Sequence, residues 1–496
     1  MKPNILVIMT DQHNKKMLGC YGNSIVRTPN LDNLAEEGTQ FTNAYCPAPL
    51  CVPSRMSFMT SRKPSSIAVY NNSHILHSGI PTWAHHLSSA GYETALIGRM
   101  HFNGPDKYHG FERRLAGELK SESNKVPSIS VTQWREAAEI VGRGPSGHIW
   151  FDAMVKDKVC EFLLSRSKNS IDEPFAAVAG FLLPHTPFIA PKELYDYYYD
   201  RIDVPEFDEK MLPATIRKHR KIHRFSEKEL SVEQIRRARA AYFGMCETVD
   251  GNVGEILETL DKTGLSKNTL VIYTTDHGDM AGEKGLWFKN SYYEGSAGVP
   301  LLMRMPDSVK SNAKSDIICN LMDLGPTFCD LAGASPIIRS DGRSMLNIMR
   351  GDKDGNRPDE TFSEVVNDRM HPGLPTRMIR SGKWKLWVFG GQEKLPPAMF
   401  NLEEDPQEMN DLGQNPDFSE IRNKLLDKVY SEWNPDNISV KEQKATADSE
   451  MVYKTANLWE NEEFQNMPPD NTDDELEMFP YDVWTLSLKD IRFLRR

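Results

Sequence analysis

The hydrophobic positions of this chain fall in short continuous runs, and polar residues follow each run. These runs occupy residues 5–9, 94–97, 175–183 and 270–275. Helical patterns of apolar and polar positions lie between them, at residues 31–37, 82–90 and 232–260. Continuous apolar strands that alternate with helices predict an α/β fold, with a large, mostly parallel sheet sandwiched by helices.

The polar residues that follow the strands carry much of the candidate chemistry. In a parallel sheet, ligands bind beyond the carboxyl ends of the strands. The charged or imidazole side chains at these ends are Asp11, Arg99, His101, His185, Asp276 and His277. Because the strand ends share one edge of the sheet, the pattern predicts that these side chains meet in one site.

The pattern changes from about residue 370. Two segments that mix basic and apolar residues, at 377–380 and 383–388, flank a Ser-Gly pair and predict a hairpin, and residues 418–433 have a helical pattern. We therefore predict a smaller C-terminal α+β domain with an antiparallel sheet. The predicted divisions are a catalytic domain over 1–370, this antiparallel-sheet subdomain over 371–440, and an acidic, partly irregular tail over 441–496.

Composition fits a soluble globular protein and narrows the partners. The chain has 496 residues, of which 39% are hydrophobic and 26% charged, and a formal net charge of −11. An acidic protein is a poor match for nucleic acid. The aromatic end of the tail could dock on a neighbouring subunit, which leaves a homo-oligomer open. The seven cysteines lack the paired spacing of a disulfide framework.

The first apolar run bears on the compartment. Residues 5–9 are too few to span a membrane, and no small-residue cleavage site follows them. We therefore expect a cytoplasmic protein without a membrane partner. If an export signal had already been removed from the sequence, the protein would instead be periplasmic.

The motif Cys51-x-Pro53-x-Arg55 is the most distinctive local feature. Pro53 suits the first turn of a helix, because its missing N–H is not needed there. Cys51 would then lie at a helix N-terminus, where free N–H groups favour an anion, and Arg55 would add a fixed cation one turn later. The alternative is an ordinary thiol in a loop.

Two of the strand-end carboxylates are candidate metal ligands. Asp11 and Asp276 would repel each other at adjacent strand ends unless a divalent cation lay between them. Gln12 offers a further oxygen and His277 a nitrogen. We expect Ca²⁺, with Mn²⁺ or Mg²⁺ as alternatives. Each Asp could instead cap the turn that follows it.

Other side chains are candidates for proton transfer and substrate binding. His101 and His185 could move protons or donate to an anion, and Lys289 follows the metal segment by thirteen residues. A single histidine or lysine is more often structural or solvated. The loops at residues 72–77, 105–111 and 148–150 are expected to line the pocket, and they add the substrate-binding candidates Asn72, His109 and Trp150.

Taken together, these motifs resemble the sulfatase branch of the alkaline-phosphatase superfamily. The resemblance covers most of the chain, at residues 3–12, 19–22, 28–32, 51–55, 91–94, 276–279 and 402–412. Residues 98–112 are similar to choline sulfatases. Residues 282–289 are similar to both choline sulfatases and phosphonate monoester hydrolases.

The resemblance implies that Cys51 is oxidised to formylglycine, whose hydrate is the nucleophile, by a formylglycine-generating or anaerobic maturation enzyme. The implied metal ligands are Asp11, Gln12, Asp276, His277 and the modified Cys51. The implied sulfate contacts are Arg55, Arg99, His101, His185 and Lys289.

The implied activity is hydrolysis of a small sulfate monoester, either of a sulfated sugar or of a small alcohol such as choline sulfate. Arg99 stands where the family usually has Lys, and residues 71–74 and 115–118 depart from the choline sulfatase pattern. One alternative is a phosphonate monoester or phosphodiester hydrolase that uses the same residues. An alternative of another class is a non-catalytic binding protein on the same fold.

Overall fold

The computed structural model of the protein describes residues 2–119, 138–168, 173–352, 356–367, 374–391, 395–454 and 477–478. Its strands are β1 (Asn4–Thr10), β2 (Thr39–Tyr45), β3 (Glu93–Gly98), β4 (Arg113–Ala116), β5 (Val141–Arg143), β6 (Phe175–Gly180), β7 (Phe188–Ala190), β8 (Thr269–Thr275), β9 (Leu301–Arg304), β10 (Ala313–Asn320), β11 (Glu360–Asn367), β12 (Leu374–Ser381), β13 (Trp384–Phe389), β14 (Ala398–Asn401) and β15 (Glu477–Met478).

The α-helices are α1 (Pro29–Glu36), α2 (Cys51–Thr60), α3 (Pro64–Ile67), α4 (Trp83–Ser89), α5 (Gly147–Lys168), α6 (Lys192–Tyr199), α7 (Ala214–Ile222), α8 (Val232–Lys262), α9 (Glu294–Ala297), α10 (Leu324–Ala332), α11 (Leu346–Met349), α12 (Ser419–Tyr430) and α13 (Pro435–Tyr453). Short 3₁₀ turns follow β1 and β8 at Lys15–Met17 and Glu283–Gly285, among other places.

An eight-stranded sheet forms the centre of the larger part of the molecule. Its strand order is β10-β2-β9-β8-β1-β6-β3-β4, and only β9 runs antiparallel to its neighbours. The four strands β8, β1, β6 and β3 are consecutive and parallel. The prediction of a large, mostly parallel sheet is confirmed.

The continuous apolar sequence of β1 reflects burial on both faces of this sheet. Ile5, Val7 and Met9 pack in the cluster that contains side chains of α2, α4 and α10. Leu6 and Ile8 point the other way, into the cluster that contains side chains of α5, α6 and α8. Because successive strand residues face opposite sides, a strand covered on both faces must be apolar throughout.

The second sheet is antiparallel, with the order β11-β12-β13-β14. β12 and β13 form the predicted hairpin around Gly382, whose φ of +54° suits a residue without a side chain. α12 and α13 cover one face, where Leu425, Val429 and Ile438 pack with residues of the sheet. The antiparallel C-terminal unit is confirmed. The division at residue 370 stays a prediction, and β11 already begins at Glu360.

A buried ion cluster joins the two sheets. Lys385 on β13 lies 2.7 Å from a carboxylate oxygen of Glu294 and 2.7 Å from one of Glu408. Lys15, which follows β1, lies 2.5 Å from the other oxygen of Glu294. We call Lys15, Glu294, Lys385 and Glu408 the interface cluster.

The predicted tail over residues 441–496 is described only in part. Residues 441–453 continue α13, and β15 pairs antiparallel with β5. The rest of the tail, including its aromatic segment at 479–484, lies outside the described residues. No helix in the described part of the chain has both the length and the apolar composition needed to cross a bilayer.

Candidate active site

Four strand ends and one helix start meet at the same edge of the large sheet. Asp11 and Gln12 follow β1, Arg99 and His101 follow β3, His185 follows β6, Asp276 and His277 follow β8, and Cys51 is the first residue of α2. The neighbouring order of these strands brings together side chains that are up to 266 residues apart in sequence, as Asp11 and His277 are.

Four candidate metal ligands form the centre of the site. Ligand atoms of Asp11, Cys51, Asp276 and His277 all lie within 4.8 Å of one another, and all four residues are buried. Sγ of Cys51 is 3.2 Å from Nε2 of His277 and 3.8 Å from Oδ1 of Asp11. Nδ1 of His277 lies 3.0 Å from the carbonyl oxygen of Gly278, which can only accept. Nδ1 therefore carries the ring proton, and Nε2 presents a lone pair to the other ligands.

Arg55 divides the oxygen atoms of the two carboxylates into outer and inner ones. Its guanidinium lies 2.8 Å from Oδ2 of Asp276 and 3.2 Å from Oδ2 of Asp11. The Oδ1 atoms are the ones nearer Nε2 of His277, at 3.7 and 3.9 Å. Two carboxylate oxygens and one imidazole nitrogen thus face a common point, and this donor set fits a divalent cation.

The charge state of Asp11 suits a metal ligand. Burial by itself would raise the pKa of Asp11, but the nearby cations, Arg99 foremost and then Arg55 and Lys289, outweigh burial and hold that pKa well below its usual value. Asp11 is therefore ionised at neutral pH.

Gln12 is held so that its amide oxygen faces the site. Its Nε2 donates to Oδ2 of Asp279 at 2.7 Å, which fixes the orientation of the amide. Its Oε1 then lies 2.8 Å from Nζ of Lys289. The backbone of Gln12 has a φ of +71°, which is uncommon for a residue with a side chain and is typical of functional sites.

Lys289 links the central cluster to His185. Its Nζ lies 3.2 Å from Sγ of Cys51 and 2.9 Å from Nε2 of His185. Nδ1 of His185 lies 2.6 Å from the carbonyl oxygen of Thr186 and so donates to it. Nε2 of His185 therefore accepts from Lys289, and a proton can pass between the two side chains.

Arg99 and His101 form the other side of the site. Nε of Arg99 donates to Oδ2 of Asp11 at 2.8 Å, and Nη2 lies 2.8 Å from Nδ1 of His101. An arginine can only donate, so Nδ1 of His101 accepts and its Nε2 carries the proton. Burial and the charge of Arg99 lower the pKa of His101 well below its usual value. His101 is thus a neutral hydrogen-bond donor.

Asn72 contacts the start of the helix that carries Cys51. Its Oδ1 accepts from the backbone N–H of Val52 at 3.0 Å. Asn103 donates to the carbonyl oxygen of Asn72 at 2.8 Å. The structure therefore places Asn72, a predicted substrate contact, beside the first turn of the helix that begins at Cys51.

His109 and Trp150 are not brought into contact with this cluster by any of the described contacts. His109 is buried, its ring centroid lies 4.6 Å from that of Phe102 with the two rings tilted at 52°, and burial lowers its pKa to about 4. Trp150 packs at the edge of the core on α5. Their substrate-binding role stays a prediction.

Three residues that the sequence analysis did not select also support the site. Asp279 orients Gln12, Glu118 accepts from the backbone of residues 100–102, and His148 lies with Nδ1 3.3 Å from the carbonyl oxygen of His185. The sequence does hold a signal for Asp279, because this residue ends the segment Asp276-His277-Gly278-Asp279, which is part of the family resemblance. Glu118 carries no comparable signal, because its partners are backbone groups.

Comparison with known protein families and structures identifies the family and the fold of the chain. A family model described as Sulfatase matches residues 3–334, and a model described as N-sulphoglucosamine sulphohydrolase, C-terminal, matches residues 282–434. The choline-sulfatase of Rhizobium meliloti (strain 1021) is 35% identical over 435 residues, which cover 84% of this chain and 83% of that protein. Arylsulfatase K of Danio rerio is 28% identical, over 86% of this chain and 84% of that protein.

A solved structure shares the fold. The phosphonate monoester hydrolase of Agrobacterium radiobacter superposes with a TM-score of 0.71 at 23% sequence identity, over 87% of this chain and 95% of that chain. At this identity the likeness shows the architecture alone.

Proposed function

Because the chain belongs to the sulfatase family of sulfuric ester hydrolases, we propose that it hydrolyses a small sulfate monoester. In this proposal the nucleophile is residue 51, after oxidation of Cys51 to formylglycine. The observation that carries the proposal is the position of Sγ, which is 3.2 Å from both His277 Nε2 and Lys289 Nζ and is buried among two carboxylates. A structural cysteine has no need of such neighbours.

The proposal includes a divalent cation held by Asp11, Gln12, Asp276, His277 and residue 51. Oxygen atoms dominate this set, which suits a hard cation, and five protein ligands favour Ca²⁺ over Mg²⁺, which usually keeps several waters. Mn²⁺ and Mg²⁺ are the alternatives. When bound, such an ion stabilises negative charge on the sulfuryl oxygens and lowers the pKa of a coordinated oxygen. The formylglycine hydrate supplies the nucleophilic oxygen.

The other side chains divide the remaining tasks. Arg55 and Arg99 bind the outer oxygens of the carboxylates and so hold the ligand oxygens in place. Lys289 brings a positive charge next to residue 51, where the sulfuryl group must lie. Its hydrogen bond to His185 lets the pair deliver a proton to the departing alcohol oxygen. His101 donates from Nε2 to the bound ester.

The proposed partners follow from this chemistry. The substrate is a small sulfate ester, of a sulfated sugar or of an alcohol such as choline. A formylglycine-generating or anaerobic maturation enzyme would act on Cys51. We keep the cytoplasm as the proposed compartment.

The test compares protein produced with and without a maturation enzyme. Intact mass should fall by about 18 Da when Cys51 becomes formylglycine. Only the matured protein should release sulfate from 4-nitrophenyl sulfate, choline sulfate or sulfated monosaccharides. Cys51→Ala is the matched control, and it should show neither the mass change nor turnover.

The same assay separates the alternatives. A sulfate monoester and a phosphodiester both carry one negative charge, so the excess of cations in the site does not distinguish them. A higher kcat/KM for bis(4-nitrophenyl) phosphate than for any sulfate ester would identify a phosphodiester hydrolase. Matured protein that turns over none of these substrates would contradict the proposal and favour a binding protein.

A further inference from the structure

Glu118 accepts hydrogen bonds from three consecutive backbone N–H groups beside the site. It lies two residues beyond β4, the edge strand that pairs with β3, and only 8% of its surface is exposed. Its Oε1 is 2.5 Å from the backbone nitrogen of His101, 3.2 Å from that of Phe102 and 3.4 Å from that of Met100. Residues 100–102 therefore wrap around a single carboxylate oxygen.

This contact compensates for an unfavourable backbone conformation. His101 has a φ of +61°, in the left-handed region that residues with a side chain rarely adopt. Such a conformation persists only where its surroundings fix it. The left-handed turn is what directs successive N–H groups to one point, and Glu118 supplies the acceptor that these buried groups require.

Glu118 also faces the guanidinium of Arg99, which joins His101 to Asp11, one of the candidate metal ligands. Its Oε2 is 3.8 Å from Nη1 of Arg99, whose other nitrogens contact Asp11 and His101. Arg114 lies 3.6 Å from Oε1 and offsets the buried negative charge. One carboxylate therefore constrains both side chains that β3 contributes to the site, Arg99 from its outer edge and His101 through its backbone.

We propose that Glu118 is a positioning residue for sulfate ester hydrolysis, which holds His101 and Arg99 at the geometry that the reaction requires. The inference rests on the proposed function. None of the described contacts of Glu118 is with Cys51: its described partners are the backbone of residues 100–102, Arg99 and Arg114. Its effect should therefore appear in kcat more than in KM, because a small misplacement of donor groups weakens binding of the transition state more than binding of the substrate.

The experiment uses matured full-length enzyme with 4-nitrophenyl sulfate as the substrate. Glu118→Ala removes the acceptor and should lower kcat by about 100-fold, with KM changed by less than about threefold. Glu118→Gln keeps an amide oxygen at the position of Oε1 and should restore kcat to within about tenfold of the wild type. Glu112→Gln, an exposed change in the same segment, is the control and should leave both constants unchanged.

Hydrogen exchange supplies a second readout. The amides of residues 100–102 should exchange slowly in the wild type and in Glu118→Gln, and fast in Glu118→Ala. If the alanine variant does not fold, Glu118→Asp decides, because it keeps the charge but withdraws the oxygen by one methylene. A fall in kcat of at least about tenfold for Glu118→Asp supports the proposal, and wild-type kcat overturns it.

The outcomes separate this inference from the proposed function. A matured wild type that hydrolyses no sulfate ester overturns the proposed function and this assignment with it. An active wild type beside a Glu118→Ala variant of equal kcat overturns the assignment alone. So does a glutamine variant as defective as the alanine variant, or a defect confined to KM.

Discussion

Two buried ion clusters in this molecule differ in what their oxygen atoms contact. In the interface cluster, each carboxylate oxygen of Glu294 and Glu408 has a donor within 2.8 Å. Oε1 of Glu294 accepts from Lys385 and Tyr45, and Oε2 of Glu294 accepts from Lys15. Oε1 of Glu408 accepts from Lys385, and Oε2 of Glu408 accepts from the backbone nitrogen of Glu294. Two lysines thus balance two carboxylates, and the cluster is closed.

The site cluster, formed by Asp11, Asp276, Arg55, Arg99 and Lys289, is built differently. Three cations there face two carboxylates, which suits an anionic substrate. The described neighbours of Oδ1 of Asp11 are Sγ of Cys51 at 3.8 Å and Nε2 of His277 at 3.9 Å, both beyond ordinary hydrogen-bond length. Burial and charge are therefore common to a structural cluster and a functional one. What distinguishes the site is a set of ligand atoms that converge on one point, together with an excess of positive charge.

The largest expected effect is on the activity of the site cluster. Asp276→Asn removes a proposed metal ligand and leaves Arg55 without one of its carboxylates. We expect kcat/KM for 4-nitrophenyl sulfate to fall by about 10³-fold or more. We also expect the loss of any rise in Tm that Ca²⁺ gives the wild type, since an ion that binds only the folded form stabilises it.

Asp427→Asn, on the exposed side of α12, is the control for Asp276→Asn. It should keep both the activity and the response of Tm to Ca²⁺. A Ca²⁺-dependent Tm that survives in Asp276→Asn would show that this carboxylate does not hold the ion.

At the interface cluster, we expect a substitution to lower the stability of the fold and to leave the activity nearly unchanged. Lys385→Met leaves two buried carboxylates with only Lys15 as a cation, and breaking a buried ion pair from one side costs about 3–5 kcal/mol. Urea unfolding should show this loss in the free energy of unfolding. The kcat of the folded variant, measured well below its Tm, should stay within about threefold of the wild type.

Lys383→Met provides the comparison for Lys385→Met, because Lys383 is 37% exposed in its side chain and lies 4.0 Å from Glu403. It should cost less than about 1 kcal/mol. If the kcat of Lys385→Met fell in proportion to its loss in the free energy of unfolding, the two clusters would be coupled. The contrast between a functional and a structural cluster would then not hold.

The sequence predicted the residues that the strands themselves deliver to the site. Asp11, His185 and Asp276 each lie within two residues of the end of an apolar run, so the topology of a parallel sheet was enough to bring them together. Cys51 was marked by Pro53, which suits a helix start. The antiparallel C-terminal sheet was visible in its hairpin.

Other residues can be identified only from their contacts in the folded structure. Glu118 binds backbone N–H groups, which every residue except proline has, so no pairing pattern in the sequence reveals it. Lys385 looks like an ordinary strand lysine, because its burial depends on α9 and on the loop that carries Glu408. The substrate-binding role of His109 stays a prediction, since its described ring contacts are with Phe102 and Asp106.

A smaller effect is expected from Arg99→Lys, which keeps the charge of the site cluster. A lysine can replace the contact to Asp11, but it cannot also hold Nδ1 of His101, because it lacks the planar fork of arginine. We expect kcat/KM to fall by about tenfold. Arg113→Lys, at an exposed position of β4, is the matched control. Equal activity of Arg99→Lys and wild type would show that charge alone matters at this position.

The last expected effect is on stability and concerns a buried polar group without a net charge. His74 accepts from the backbone nitrogen of Tyr70 at 2.9 Å and so donates from Nε2 to Thr446 on α13, also at 2.9 Å. Burial lowers the pKa of His74 from 6.5 to about 4. Above pH 6.5 the imidazole is neutral in the folded and the unfolded chain. Between pH 6.5 and about 4 only the unfolded chain takes up a proton, so the free energy of unfolding falls as the pH falls.

From pH 7 to pH 5 this histidine alone should remove about 2 kcal/mol. In His74→Gln that part of the pH dependence should disappear, although the variant is less stable at pH 7, because the bonds to Tyr70 and Thr446 change. His77→Gln, on the same loop, serves as the control. Urea unfolding at both pH values measures the difference. A neutral buried group differs from both ion clusters because it stabilises the fold only while it stays uncharged. If His74→Gln lost as much stability on acidification as the wild type, the contact between this loop and α13 would not depend on a neutral imidazole.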